Sequence, residues 1–396
     1  MISKKNRLVG AILLVSGTTI GAAMLALPLT TGLAGFWPAI LLMVGVWLFM
    51  MLTAFYLLEV NLRMKGESNI ISMASKTLGR GGQIICWIIY LLLLYALISA
   101  YLVGCSEIVG DFFEPIIKMA YWGWPGLLFL LFALCIFFGT QLTDFLNRIF
   151  MVGLFGAFIV LISLGLGQVQ PKLLMHRDWL HLLPSFSVVL TTFGYHIIIP
   201  TLTTYLEHDT KLLKRAIMIG SVIPLLLYIL WQILVMGLMP IPKLVAVAAS
   251  GQQISVALQQ FLGSGFVVAA GRLFALCSII TSLLGVSLSL SDFLADGLKI
   301  EKQSWNKLWI VLLTFAPPLL FTLFFPRGFL FALKYAGIFV VILLVLLPAW
   351  MAYYERYGPE TERTFIKSDF KVPGGKWAIV TTIVLAFIIL AVEIIK

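Results

Sequence analysis

The chain has 396 residues, of which 61% are hydrophobic and 11% charged, and its formal net charge is +10. A soluble globular protein carries about 25% charged residues, so this composition excludes that class and defines a polytopic membrane protein. The surplus of Lys and Arg does not indicate a nucleic-acid partner, because those residues are spread between apolar runs instead of gathered on one face.

Reading hydrophobic runs against polar breaks places eleven spans, approximately 8–33, 37–62, 82–110, 124–140, 148–168, 185–206, 216–239, 265–293, 307–325, 328–352 and 376–395. Lys4, Lys5 and Arg7 before an apolar stretch resemble the start of a cleaved signal peptide. That reading fails because the apolar run continues past the small residues at Ala22, Ala23 and Ala26 and many more spans follow.

Span 1 is interrupted at its midpoint. As a straight helix, the run from Leu8 to Leu33 would be about 39 Å long against a hydrocarbon core of about 30 Å. Its centre falls on the small, hydroxyl-bearing stretch Gly17-Thr18-Thr19-Ile20-Gly21-Ala22-Ala23-Met24-Leu25-Ala26-Leu27-Pro28. An unpaired peptide group in lipid costs several kcal/mol, so an unwound helix persists only where protein or a polar cavity surrounds it. The N–H groups freed there suit a carboxylate, and the freed carbonyls suit an ammonium or a metal cation.

Between spans 2 and 3, Glu67 to Leu78 reads as a helix-compatible segment lying along the membrane surface, and Lys243 to Phe261 reads the same way on the other side. Cys86, Cys105, Cys135 and Cys277 all fall inside predicted spans, as packing residues and not a disulfide framework. Span 6 repeats the interruption of span 1. Thr191-Thr192-Phe193-Gly194-Tyr195-His196 breaks it, and Pro200 follows Gly194 much as Pro28 follows Gly21. Gly and Pro also merely kink membrane helices. Two such spans in corresponding positions of two halves are nevertheless the sequence pointer to a transporter binding site. Spans 9 and 10 are parted only by Phe325-Pro326-Arg327-Gly328, a tight hairpin.

Counted on alternate sides, nineteen of the 27 Lys and Arg residues share the side of the N-terminus and six lie opposite, with Arg272 and Lys334 inside spans. This asymmetry predicts a cytoplasmic N-terminus and, with an odd number of spans, a periplasmic C-terminus. Spans 1–5 correspond to spans 6–10 in opposite orientation, an inverted repeat over approximately 8–168 and 185–352. The helix at 376–395 is additional. The chain is thus read as one all-α transmembrane domain with discontinuous helices 1 and 6.

Enzyme signatures are lacking: four histidines without metal-ligand spacing, no His-Glu-x-x-His, no Walker A sequence and no paired carboxylates at membrane depth. No catalytic residue, metal or cofactor is expected. Ionisable residues inside spans are functional by default, since charge in lipid costs from about 2.5 kcal/mol upward. Arg272 or Lys334 with Glu107 forms a candidate outer gate, and Glu59 and Asp292 lie at the inner ends of spans 2 and 8 as a candidate inner gate; snorkelling to the interface is the alternative. His196 lies closer to the midplane than any of these, and its unperturbed pKa of about 6.5 makes it the candidate for proton coupling.

Four pieces of the sequence together resemble the hydroxy/aromatic amino acid permease family, the bacterial tryptophan and tyrosine permeases. They are the interrupted stretch from Gly17 to Pro28, Tyr95-Ala96-Leu97-Ile98-Ser99 in span 3, Thr192-Phe193-Gly194-Tyr195-His196 with Ile199-Pro200, and Thr281-Ser282-Leu283-Leu284-Gly285-Val286 with Asp292-Phe293-Leu294-Ala295-Asp296-Gly297. The likeness covers essentially the whole chain, with Ala23 standing where many members have a glycine. It implies the amino-acid/polyamine/cation transporter fold of the bacterial inner membrane, importing aromatic amino acids with protons, tyrosine first and tryptophan next.

On that resemblance the substrate carboxylate meets the N–H groups of Ile20, Gly21, Ala22 and Ala23, and the ammonium meets carbonyls near Ser16, Thr19 and Phe193. Tyr95, Ser99, Phe193, Gly194, Tyr195 and Ser282 border the side chain. Each also fits a plainer role: the tyrosines as core volume with satisfied hydroxyls, the serines as small-residue helix contacts. The expected partners are the amino acid, protons and the bilayer, with no obligate protein. Sodium coupling through Ser278, Thr281 and Ser282, and a membrane-embedded sensor using the same pocket, stand as alternatives.

Overall fold

The computed structural model describes residues 4–64, 68–113, 116–120, 122–262, 265–300, 304–358 and 368–395, which form helices joined by short loops with no strand among them. Span 1 is two helices, α1 (Lys4–Thr19) and α2 (Ala23–Thr31), bent by 54°. Span 2 is α3 (Phe36–Asn61). Next comes α4 (Ile70–Phe113), in which Gly79 at φ +71 separates the first turns, the expected surface segment, from span 3. Glu67, where that segment was expected to begin, lies outside the described residues.

Spans 4 and 5 are α5 (Gly123–Phe138) and α6 (Thr140–Gly165). Between them stands Gly139 alone, at φ +106, a left-handed conformation open to glycine. The polar residues at 141–147, which read as a loop, are instead the opening turns of α6, where Asp144 and Arg148 pair at 2.8 Å. One glycine suffices to turn the chain, so polarity there marks depth in the membrane and not loss of helix.

After a run of 3-10 turns, span 6 begins as α7 (Phe186–Thr191), breaks at 192–194, and resumes as a 3-10 turn and α8 (Ile199–Tyr205). Span 7 is α9 (Thr210–Leu238). The expected segment from Lys243 to Phe261 is folded as α10 (Ile241–Ser250) and α11 (Ile254–Leu258). Spans 8 and 9 are α12 (Gly265–Leu298) and α13 (Ser304–Phe324). Span 10 is α14 (Phe329–Val340), a π turn over Val341–Leu346 and α15 (Leu347–Tyr357). The last helix is α16 (Gly375–Ile395).

Among the described residues, nine helical stretches are long and apolar enough to cross a bilayer, ten when α1 and α2 count as one bent span. The expected eleventh is α5, which at 16 residues is shorter than a full crossing. The four cysteines are free, three of them buried, in agreement with a packing role.

Prolines inside helices explain several joints between them. Each removes the N–H that would bond the carbonyl four residues earlier, and in lipid that carbonyl needs another donor. Pro224 in α9 frees the carbonyl of Gly220, which lies 2.8 Å from the Ser16 hydroxyl of α1. Gly220 also lets the helices touch, since a Cβ there would sit 2.6 Å from that of Val15. Pro317 in α13 frees the carbonyl of Leu313, and the Tyr95 hydroxyl donates to it at 2.8 Å. Ahead of Pro348 the π turn of span 10 supplies the local widening by which a helix passes a missing donor.

Candidate functional site

The breaks in spans 1 and 6 are joined by a third helix. At the first break α1 closes with the Ile20 N–H on the Ser16 carbonyl at 2.9 Å, and α2 opens with the Met24 and Leu25 N–H groups on the carbonyls of Gly21 and Ala22 at 3.1 and 3.0 Å. The Ala22 N–H donates to Ser282 Oγ of α12 at 2.9 Å, while the Ser282 hydroxyl donates to the Ser278 carbonyl at 2.9 Å. Helix α12 comes so close here that a Cβ on Gly21 would lie 2.7 Å from Ser282 Oγ. No acceptor is present for the Gly21 N–H among the described residues. Of the four backbone donors assigned to a carboxylate, those of Ile20 and Ala22 are therefore engaged within the protein, and those of Gly21 and Ala23, the latter in the first turn of α2, have no acceptor among the described residues.

The carbonyl ends of both half-helices converge on Tyr228 of α9. Its hydroxyl oxygen is 2.6 Å from the carbonyl oxygen of Thr19 and 2.9 Å from that of Thr192. The phenol has one hydrogen to share between two acceptors, so a second donor is accommodated at this point. Phe193 meets the Tyr228 ring edge-on at 5.4 Å. Tyr228 was not among the residues singled out from the sequence; the available signal was a tyrosine four residues beyond Pro224, in a span whose other polar side chains include Ser221 and Gln232.

The other expected site residues divide by what their polar atoms already hold. Thr19 Oγ1 donates back to the Val15 carbonyl at 2.6 Å, and Ser99 Oγ to that of Tyr95 at 2.8 Å. The Ser16 hydroxyl is shared between the carbonyls of Ile12 at 2.9 Å and Gly220 at 2.8 Å, and the Tyr95 hydroxyl is committed to the carbonyl freed by Pro317. Phe193 and Tyr195 are fully buried, and Gly194 turns the chain between α7 and the following 3-10 turn. Ala23 is buried at the start of α2.

His196 is fully buried and stacks on Tyr195 at 5.3 Å. Its Nε2 is 2.9 Å from Thr53 Oγ1 of α3, and the Thr53 hydroxyl in turn lies 3.1 Å from the Met50 carbonyl. With the threonine hydrogen on Met50, this pairing assigns the histidine hydrogen to Nε2. Nδ1 has no partner among the described residues. The ring thus anchors span 6 to span 2.

On the side opposite the N-terminus, Arg272 meets Asp111 at 3.4 Å and the Gln259 side chain, not Glu107. Asp111 lies one turn beyond Glu107 on α4, and Glu107 instead accepts the Gln253 N–H at 2.7 Å, at the start of α11. Lys334 is half-buried on α14 and has no ion pair among the described residues. On the N-terminal side Glu59 is fully buried in a four-residue cluster. Arg356 donates to both its oxygens, at 2.7 and 2.5 Å, Arg63 lies at 3.4 Å, and Arg63 also pairs with Glu355. The Val372 N–H completes the shell of Glu59 at 2.7 Å. Asp292 is exposed near the end of α12. The spacing of Glu59 and Arg63, four apart across the C-terminal end of α3, is the signal by which this cluster was detectable.

No group of three or more metal-ligating side chains occurs among the described residues. Paired half-helices at the centre of a bundle, with ion pairs clustered toward both ends, define the class of multi-pass membrane transport proteins. Comparison with known proteins gives the family. Residues 4–394 match the Tryptophan/tyrosine permease family. The chain is 33% identical to the Tyrosine-specific transport system 1 of Haemophilus influenzae, covering 98% of this chain and 96% of that protein. It is 30% identical to a Tryptophan-specific transport protein of Pseudomonas aeruginosa, covering 96% and 92%. Its fold is similar to that in the crystal structure of MhsT in complex with L-phenylalanine, with a TM-score of 0.59, 14% identity and 98% of both chains covered. The chain belongs to the tryptophan/tyrosine permease family.

Proposed function

We propose that this protein imports aromatic amino acids, tyrosine first and tryptophan next, by proton symport with alternating access across the bacterial inner membrane. The observation that carries the reading is the convergence of the two broken spans on Tyr228. A zwitterion suits such a junction: its carboxylate faces the open Gly21 N–H, and its ammonium faces the carbonyl ends of α1 and α7, where Tyr228 supplies a single hydrogen for two acceptors. The amino-acid side chain lies between spans 3, 6 and 8, against the rings of Tyr95, Phe193 and Tyr195 and the small Ser99 and Ser282. The names of relatives, tyrosine-specific and tryptophan-specific, support an aromatic substrate.

In this reading the two inverted halves, approximately 8–168 and 185–352, rock about the site, with the N-terminus cytoplasmic and α16 outside the repeat. The Glu59 cluster closes the cytoplasmic side, and Arg272 with Asp111 closes the other. His196 carries the coupled proton. Exchange tests the substrate class: proteoliposomes preloaded with unlabelled tyrosine, tryptophan or phenylalanine take up labelled tyrosine faster than empty ones. Acceleration by leucine or glutamine but by none of the three aromatics would overturn it.

A further inference from the structure

A crevice of about 480 Å³ opens on the flank of the bundle, between α3, the 3-10 turn ahead of α7, α7 itself and α16. Its floor includes the buried Leu42, Val46 and Leu190, and its rim includes the exposed Leu41, Leu183 and Ile388. An apolar rim this exposed faces acyl chains in a membrane-spanning bundle. One lining residue is out of character. Glu393 of α16 is 3% exposed, and its Oε1 accepts the Ser187 N–H at a long 3.4 Å. Its Oε2 is buried with no partner, and no cationic side chain pairs with it among the described residues. A buried carboxylate oxygen without a donor is costly, and a ligand bringing a hydrogen-bonding cation relieves that cost.

The long axis of the crevice sets the polarity of its occupant. Glu393 is close to the end of α16, at the surface opposite the N-terminus, and Leu385 lies eight residues deeper, about 12 Å down the helix. The polar end is therefore at the interface and the apolar end points toward the midplane. Gly45 of α3 faces the same space, and a Cβ there would meet nothing within 4 Å.

We propose that this crevice binds a bilayer phospholipid with a primary ammonium headgroup, its acyl chain along α3 and α16 and its ammonium donating to Glu393 Oε2. A trimethylated headgroup keeps the charge but has no N–H to give, so it binds less tightly.

The test uses the purified full chain in nanodiscs of phosphatidylglycerol mixed with either phosphatidylethanolamine or phosphatidylcholine. Retained lipid is then counted by native mass spectrometry. The wild type retains phosphatidylethanolamine over phosphatidylcholine by on the order of tenfold. Glu393→Gln removes the preference. Gly45→Leu, at a position where a Cβ meets nothing within 4 Å, projects a side chain into the crevice and removes retention of both lipids while the thermal transition is kept. Equal retention of the two lipids by the wild type, or unchanged retention by Gly45→Leu, overturns the proposal, and the latter decides it even where Glu393→Gln fails to fold.

Discussion

The hydroxyl of Tyr228 stands 2.6 Å from the carbonyl oxygen of Thr19, the last residue of α1, and reaches the equivalent end of α7 at Thr192 from the same oxygen. One side chain on span 7 thereby holds the relative position of both broken spans. Tyr228→Phe keeps the ring and its edge contact with Phe193 but leaves two buried carbonyls without that donor. Each such loss costs about 1–3 kcal/mol. Substrate affinity is expected to fall by on the order of tenfold or more while the protein still folds, as read by scintillation proximity binding. Wild-type affinity in this variant would separate Tyr228 from the site.

Gly21 and Ser282 test the close approach of α12 to the first break. Gly21→Ala places a methyl 2.7 Å from Ser282 Oγ and is expected to abolish measurable binding. Ser282→Ala alone removes the acceptor of the Ala22 N–H and costs about 1 kcal/mol. The double variant relieves the clash, so it binds better than Gly21→Ala, a coupling that a double-mutant cycle measures. Additive losses would place the effect of Gly21→Ala elsewhere, in backbone conformation.

Tyr95 illustrates how far residue type alone carries an assignment. Its place in span 3 and its hydroxyl suit a substrate contact, yet the hydroxyl donates to the Leu313 carbonyl freed by Pro317. Tyr95→Phe is therefore expected to lower thermal stability by about 1–3 kcal/mol with the ratio of tyrosine to tryptophan affinity unchanged. A change of preference without loss of stability would restore the hydroxyl to the substrate.

The buried cluster on the N-terminal side makes a stability prediction. Glu59→Gln leaves Arg356 facing a neutral amide inside the protein, and breaking one side of a buried pair costs about 3–5 kcal/mol. Arg356→Gln is expected to cost a similar amount and the double variant less than their sum, as measured by thermal unfolding in detergent. Full additivity would show that the two side chains do not depend on one another.

Much of this architecture was legible because lipid leaves a chain few choices. Apolar length marks the spans, and Gly21 and Gly194 mark the breaks, since a helix weakened at mid-membrane has to be shielded by protein. What hydropathy does not carry is the axial register of one helix against its neighbour. Arg272 was expected to meet Glu107, but Asp111, four residues on, lies at 3.4 Å from it. Neither could Tyr228 be singled out, because one tyrosine in an apolar span reads as core until the carbonyls it faces are known. The polar residues at 141–147 read as a loop for the opposite reason: Gly139 turns the chain alone, leaving their helix intact.

In the proposed symport the coupled proton is assigned to His196, whose Nε2 is held by Thr53 and whose Nδ1 has no partner among the described residues. His196→Gln keeps hydrogen bonding but cannot titrate near neutral pH. It is expected to exchange labelled tyrosine across the membrane at near wild-type rates and to lose accumulation against a gradient. Full proton-driven accumulation by this variant would move the coupled proton to another group.

The most direct measurement is uptake of radiolabelled tyrosine by the purified wild-type protein in sodium-free proteoliposomes with the outside acidified. Accumulation above the equilibrium level is expected, collapsed by a protonophore and not raised by added sodium. Uptake that never exceeds equilibrium under the proton gradient, or that concentrates tyrosine only when a sodium gradient is imposed, would contradict proton symport.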